Sequence, residues 1–349
     1  MRRSFFKAVF IAFFISLSLI LSNNSGFAQV TIGKFSAFEG EVELEREGSL
    51  IPLQLNMPIV AKDRIRVEEG MAEIRYDDGS ILKIGSHTDL TLDQMRKKRK
   101  ILGIWTKTYL SRLISIFKGK VSGIIKKRKD LVTEFETPTL VAGVRGTTLD
   151  IVVDPETGDT DILVDVDVVE TFTHDGWTVM TLAGGDSIAV HVDPETGAAS
   201  VHSYSGTISV RAGDTTSQVE PGDTVTARVD PETGAASVLA SEGTIEVTVG
   251  EATATLDEGE SVSGDVDPET GVAAIVAIEG EVPVTAQGET QTLTPGTGTT
   301  VSPGEVPTAP EPMAPPAEPY MPPPPEAPEF EAPVEEEPPI QDTEPASPV

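Results

Sequence analysis

The 349-residue sequence has no cysteine, only four histidines and few aromatic residues, 5% of the chain. Without cysteine there is no disulfide, no thiol nucleophile, no Cys-ligated zinc and no lipid attachment at a lipobox. The histidines, His87, His174, His191 and His202, fall into neither H-x-x-x-H nor HExxH spacing. No G-x-S-x-G and no glycine-rich phosphate loop occurs either, so the sequence reads as that of a non-enzymatic protein. Positive charge is also scarce, with 26 Lys and Arg against 56 Asp and Glu, a formal charge of -30. From Leu131 to Val301 only Arg145, Arg211 and Arg228 oppose 31 acidic residues, so this stretch alone carries -28. A body this acidic is not expected to bind nucleic acid.

What is present is turn-forming sequence. The 31 glycines and 27 prolines favour many short strands over long helices. The N-terminus, "MRRSFFKAVFIAFFISLSLILSNNSGFAQ", places Arg2, Arg3 and Lys7 ahead of an apolar run from Ala8 to Leu21 and ends on Gly26-Phe27-Ala28. This is the layout of a secretory signal, residues 1–28, cut after Ala28. The run is shorter than the roughly 20 residues of a membrane span, and an uncleaved anchor is the other reading. After cleavage no transmembrane span remains. The expected location is exported, in the periplasm, at the cell surface or outside the cell, with no cytoplasmic domain ahead of it.

VDPETG occurs four times, with aspartates at Asp154, Asp193, Asp230 and Asp267. From Asp193 the period is 37, and Gly206, Gly243 and Gly280 coincide, as do Gly222, Gly259 and Gly296. The template is G-x-V-x-V, a polar turn, L-x-x-G, a third short strand and VDPETG, the corner where one unit is expected to hand over to the next. Such periodicity means stacked units sharing a core with their neighbours. Gly40, Val42, Leu44, Leu53 and Asn56 keep the spacing of Gly206, Ile208, Val210, Val219 and Gly222. Asn is a good substitute for Gly at a left-handed position. The first VDPETG lies 39 residues before the second, and the Gly expected near Asp167 is absent.

Other segments have their own signatures. "AEIRYDDGSILKIG" places Asp78-Gly79, a hairpin turn pair, between alternating runs. Ile101, Trp105, Tyr109, Leu113 and Ile116/Phe117 recur at three- and four-residue steps, predicting one short amphipathic helix. Around it, residues 96–129 hold 13 Lys and Arg and no acid. Thr137-Pro138 predicts a turn, and a strand is expected from about Val144 to Val153. From Pro303 to the end there are 17 prolines and 11 acidic residues, predicting a disordered, extended tail over 303–349. That tail is a spacer, or a docking site for a cationic or proline-binding partner.

Several motifs in this order resemble the FecR domain family of bacterial exported and membrane proteins, over about residues 34–172. They are Gly40 to Leu44, Lys62-Asp63-Arg64-Ile65, "DDGSILKI" at Asp77 to Ile84, "FKGKV" at Phe117 to Val121, and "TPTLVAGVRGTTLDI" at Thr137 to Ile151. The motif residues are Asp78, Gly79, Thr137, Pro138, Val144, Arg145, Gly146 and Thr147. The resemblance implies an all-β, extracytoplasmic domain. In the namesake it takes a signal from an outer-membrane receptor and controls a sigma factor through a separate cytoplasmic segment. This sequence has a signal peptide in that place. It also departs at Ala61, where the family's turn has Gly, and at Val166 to Val169, where it has Gly-x-Val.

Each candidate site has a competing structural reading. Asp265, Asp267 and Glu269, with Gly271, have a D-x-D-x-E-x-G spacing that suits calcium, the one cofactor considered. Position 265 is Val152, His191 and Arg228 in the other copies, which favours a turn made by Pro and Gly. The basic segment, with its apolar face, suits an anionic surface. Alternatively it packs on the β-core, with its charges on the acidic repeats. Arg145 is expected to hold a carboxylate or carbonyl internally.

The whole is thus expected to be all-β: a FecR-like domain (34–172), acidic β-repeats (173–302) and a disordered tail. The expected role is an exported interaction or structural module whose partner is an envelope protein, a glycan or an anionic surface. The alternative is a sensor or regulator in trans-envelope signalling.

Overall fold

The computed structural model describes residues 31–101 and 105–313. The expected signal, 1–28, and the tail beyond Met313 lie outside them. The N-terminal strands are β1 (Thr31–Arg46), β2 (Ser49–Ile51), β3 (Pro58–Val60), β4 (Asp63–Tyr76), β5 (Ile81–Ile84) and β6 (Thr88–Ile101). They continue as β7 (Trp105–Ile124), β8 (Leu131–Glu136), β9 (Leu140–Val144), β10 (Thr148–Val153) and β11 (Thr160–Val166). The repeats supply β12 (Val169–Thr173), β13 (Thr178–Leu182), β14 (Ser187–Val192), β15 (Ala199–Ser205), β16 (Ile208–Ala212), β17 (Thr215–Val219), β18 (Thr224–Val229) and β19 (Ala236–Glu242). Last come β20 (Ile245–Val249), β21 (Ala252–Leu256), β22 (Ser261–Val266), β23 (Ala273–Glu279), β24 (Val282–Ala286), β25 (Glu289–Leu293), β26 (Thr297–Val301) and β27 (Glu311–Pro312). The fold is all-β, and the expected domain boundary at 172/173 falls inside β12.

Pairing separates two long layers. The first runs β3, start of β1, end of β4, β5, end of β7, β10, β11, β14, β15, β18, β19, β22, β23, β26, β27. The second runs β2, end of β1, start of β4, β6, start of β7, β8, β9, β12, β13, β16, β17, β20, β21, β24, β25. Neighbours are antiparallel except β7 with β8. Alternate residues of each layer point inward, and one continuous apolar cluster runs between the layers from Ile32 to Val301. At roughly 4.8 Å per strand, the result is an elongated two-layered rod.

The chain changes layer at residues with positive φ. At Gly206, Gly243 and Gly280 φ is 83°, 76° and 85°, and Gly40 has 82°. The return crossing uses Gly222, Gly259 and Gly296, and Asn56 takes the same place at φ 63°. The amides of Asn56 and Gly222 donate to equivalent carbonyls, Phe35 at 2.9 Å and Ser203 at 2.7 Å. The glycine absent near Asp167 is replaced by Asp167 itself, at φ 71°, since Asp tolerates this region better than most residues. In the turn beside Ala61, Lys62 is the left-handed residue, at 72°.

Four expectations change. Each 37-residue unit has four strands, not three, one hairpin in each layer. VDPETG is therefore the tip of a first-layer hairpin, as in β14–β15 and β18–β19, and not the boundary between units. The strand expected over 144–153 is two, with β9 in one layer, β10 in the other and the crossing at Arg145–Thr147. The predicted helix is instead β7. Steps of four fit a strand as well as a helix, and Tyr109, Leu113 and Phe117 share the outer face, while Arg112, Ile114 and Ile116 are buried inside. Its Ile, Thr and aromatic content suits a strand.

The tail also folds at its start. Over 303–313, Met313 donates to the Gly296 carbonyl at 3.0 Å, Thr299 donates to the Thr308 carbonyl at 2.8 Å, and β27 caps β26. Prolines on that cap leave few donors for a further strand. At the other open edge, Glu289 and Gln291 stand where the preceding unit buries Ala252 and Ala254. Such polar substitution suits a terminal repeat.

Candidate functional site

The four VDPETG tips share one geometry. In each, the aspartate Oδ1 accepts the amides two and three residues on, at 2.7–2.9 Å for Asp154 and 2.8–3.2 Å for Asp267. The Thr hydroxyl accepts a further amide, as at Thr196 to Ala198, 3.2 Å. The Gly lies at φ 71–81°. Only the Glu side chain has no part in the turn, though its amide does. These amide bonds hold Asp154, Asp193, Asp230 and Asp267 below the usual carboxylate range, so their stabilisation is present at neutral pH and lost as pH falls through their lowered values. Asp193→Ala is expected to lower the melting midpoint by about 2 °C, with Asp193→Asn milder because an acceptor remains. Thermal melts at pH 7 and pH 3 check this, the difference from wild type shrinking at pH 3.

Asp267 Oδ1 is thus occupied by its own turn. Asp265 sits exposed on β22, opposite Ala274. Among the described residues no group of three or more His, Asp or Glu side chains is placed to hold a metal ion, so the structure does not gather Asp265, Asp267 and Glu269 into such a cluster.

The Thr137–Thr147 motif is a hairpin and a crossing. Thr137 Oγ1 accepts the Leu140 amide at 3.2 Å and the Thr160 hydroxyl at 2.8 Å, and Thr139 reaches Thr160 at 2.6 Å. His174 Nε2 meets the Thr137 carbonyl at 2.7 Å, which requires the proton on that nitrogen. Pro138 forms the tip and Val144 is in the core. Gly146 has φ 100°, and a Cβ there would lie 2.7 Å from Lys127 Cβ. Thr147 is buried.

Arg145 contradicts its expected internal role: it is exposed and joins no other described residue by an ion pair or hydrogen bond. The buried arginine is Arg112 on the inner face of β7, 2% exposed. Its Nη2 donates to Asp78 Oδ2 at 3.0 Å and its guanidinium lies 3.7 Å from the Tyr76 ring centre. Asp78 Oδ1 also accepts the Ser80 amide at 2.9 Å, and Gly79 completes the expected turn at φ 82°. Burial alone would raise the Asp78 pKa; the Ser80 amide and Arg112 outweigh it and hold it low. Burial pushes the Tyr76 hydroxyl up. Tyr76 Oη, Thr133 Oγ1 and Arg112 Nε and Nη1 find no partner among the described residues.

Sequence reasoning missed a second polar group, on the outer face of the first layer. Asp161 on β11, His191 on β14 and His202 and Tyr204 on β15 stand on neighbouring strands. His191 Nδ1 meets Asp159 Oδ1 at 2.5 Å; His202 Nδ1 meets Thr224 Oγ1 at 2.8 Å and packs edge-on to Tyr204. Burial first, then Asp159 and Asp154, push Asp161 up to about 6. Burial and Asp161 raise Tyr204 to about 12. Because folding strengthens proton binding at Asp161, stability falls as pH rises from about 4 to 6. Asp161→Asn is therefore expected to melt above wild type at pH 7.5 and with it near pH 4.

The basic segment forms the β6–β7 hairpin and the loop before β8. Its described inner face packs on the core at Ile114 and Ile116, as the second reading expected. Its charges do not lie on the acidic repeats, among the described residues. Lys97 pairs with Glu134 at 2.5 Å, Arg128 with Asp130 at 2.8 Å and Lys127 with Asp167 at 3.8 Å.

No protein-family model matches the chain, and no curated protein matches it. Two crystal structures described as a "putative anti-sigma factor" from Parabacteroides distasonis ATCC 8503 are similar to it, at 16% and 17% identity and TM-score 0.29. Each match covers 37% of this chain and 54% of the other, so the chain spans about half the length of these neighbours.

Proposed function

We propose that this chain is an exported, non-enzymatic protein of the FecR-domain type that acts as an interaction module of the cell envelope or its surroundings. The carrying observation is the division of charge. The aspartates of the VDPETG tips are spent on their own turns, while Arg96, Lys98, Lys126 and Lys129 join no ion pair with another described residue. A rigid rod with an unneutralised basic region on an acidic body suits presentation to a partner rather than chemistry on a substrate. The FecR-type motifs at Gly40 to Leu44, Asp77 to Ile84 and Thr137 to Ile151 support the same reading. Intact mass of the chain purified from producing cells tests export. A chain starting at Gln29 is expected; one that keeps Met1 would overturn the free exported form and fit the anchored, sensor-type alternative.

A further inference from the structure

The loop between β7 and β8 holds Lys126, Lys127, Arg128 and Lys129 in a row, all four exposed. Its backbone is fixed at both ends. The Ile125 amide donates to the Thr147 carbonyl at 2.8 Å, the Lys126 amide to Ser80 Oγ at 3.0 Å, and the Leu110 amide to the Asp130 carbonyl at 2.7 Å. Local acids meet only part of the charge: Arg128 has Asp130 at 2.8 Å, and Lys127 has the exposed Asp167 at 3.8 Å. The bond to Thr147 seats the loop at the Arg145–Thr147 crossing, on the edge of the first layer where the chain changes layers.

The described chain ends on that same edge. β10 starts there at Thr148 and β26 starts there at Thr297. β27 runs back antiparallel to β26, and the Met313 amide donates to the Gly296 carbonyl at the crossing, at 3.0 Å. From β7 the first layer passes through β10, β11, β14, β15, β18, β19, β22 and β23 to β26. Nine spacings of roughly 4.8 Å put Met313 about 43 Å from the loop along the edge. The crossings between them carry Asp186, Glu220, Asp223, Asp257, Glu258 and Glu260 and no Lys or Arg.

We propose that the acidic segment 329–344 of the same chain docks on the 126–129 loop. Residues 314–349 hold nine Asp and Glu and no Lys or Arg, so the charges are complementary. The length suffices as well: at no more than about 3.6 Å per residue, the span takes at least about 12 residues, and Glu329 lies 16 past Met313. The acidic crossings on the way repel such a segment, and the loop is the run of positive charge on that edge. The tether also holds the segment at a local concentration that a free anion lacks. Exposed pairs of this kind are weak singly and screened by salt. The contact is therefore a displaceable cover over charge that the proposed function offers to a partner. It rests on the basic region of that reading and not on export.

The test treats the full chain with a carbodiimide, which joins a carboxylate to a lysine amine in contact with it. Mass spectrometry of peptic fragments then maps the new amides. The expected result is coupling of Glu335, Glu336 or Glu337 to Lys126, Lys127 or Lys129 within the monomer, lost in about 1 M salt, where the Debye length is about 3 Å. Arg128→Glu with Lys129→Glu keeps Lys126 and Lys127 as reporters and is expected to lower their coupling to the segment at least about fivefold. Unchanged circular dichroism shows that this variant folds. Coupling that survives the charge reversal would overturn the proposal. So would coupling to the exposed Lys34, Lys62 or Lys83 as often as to the loop, coupling only between two copies of the chain, or no coupling from the segment at all. Failure here leaves the mass measurement of export untouched.

Discussion

Arg112→Met is expected to destabilise the protein by about 3–5 kcal/mol, the cost of leaving one member of a buried ion pair without its partner. Asp78 keeps the Ser80 amide at 2.9 Å but loses the Arg112 contact at 3.0 Å. The hydroxyls of Tyr76 and Thr133 stay buried beside an apolar side chain. The double variant Arg112→Met, Asp78→Asn removes the stranded charge and keeps an acceptor for Ser80, so it is expected to recover most of the loss. Urea unfolding of wild type, both singles and the double measures the coupling. The pH dependence also changes sign. In wild type the lowered Asp78 pKa gives stability that is lost as pH falls below the usual carboxylate value. With Arg112 gone, burial dominates and stability falls as pH rises. An additive cycle would mean that the pair is not the internal lock of the N-terminal strands.

Gly70→Ala is expected to cost at least about 3 kcal/mol, well beyond a usual glycine substitution. Gly70 and Gly40 lie opposite each other in the β1–β4 register, at φ 96° and 82°, where both strands bend from one layer to the other. A Cβ on Gly70 would overlap the Glu39 carbonyl oxygen, and one on Gly40 the Glu69 carbonyl oxygen. Strain at positive φ adds to this collision with backbone. Gly79→Ala is the control: φ is 82° but nothing lies within 4 Å of its Cβ, so only about 1 kcal/mol is expected. Denaturation midpoints that moved equally for the two would show that the paired bend is not a tight crossing.

The parts of this fold that were readable in the sequence are those where one residue type meets one backbone requirement. The 37-residue period, the crossing glycines and the Asn56 substitution all follow from positive φ, which few residues accept. The turn role of VDPETG was readable for the same reason, because Asp, Pro, Thr and Gly each do one local job. A turn signal marks a reversal without saying which layer it lies in, so the hairpin tips read as boundaries between units. The β7 error came from steps of four, which helix and strand share; the inner alternation Arg112, Ile114, Ile116 would have decided it. Burial of a charge has no local signature, so Arg145, set between glycines, drew the role that Arg112 fills. The outer-face group of Asp161, His191, His202 and Tyr204 depends on pairing across β11, β14 and β15, which spacing along the chain does not reveal. The basic run was plain in the sequence; its place on two paired strands, β6 and β7, was not.

Fractionation of producing cells is the most direct test of the central claim, that the chain works outside the cytoplasm. Wild type is expected in the envelope or extracellular fraction and absent from the cytoplasm. Wild type confined to the cytoplasm would contradict it.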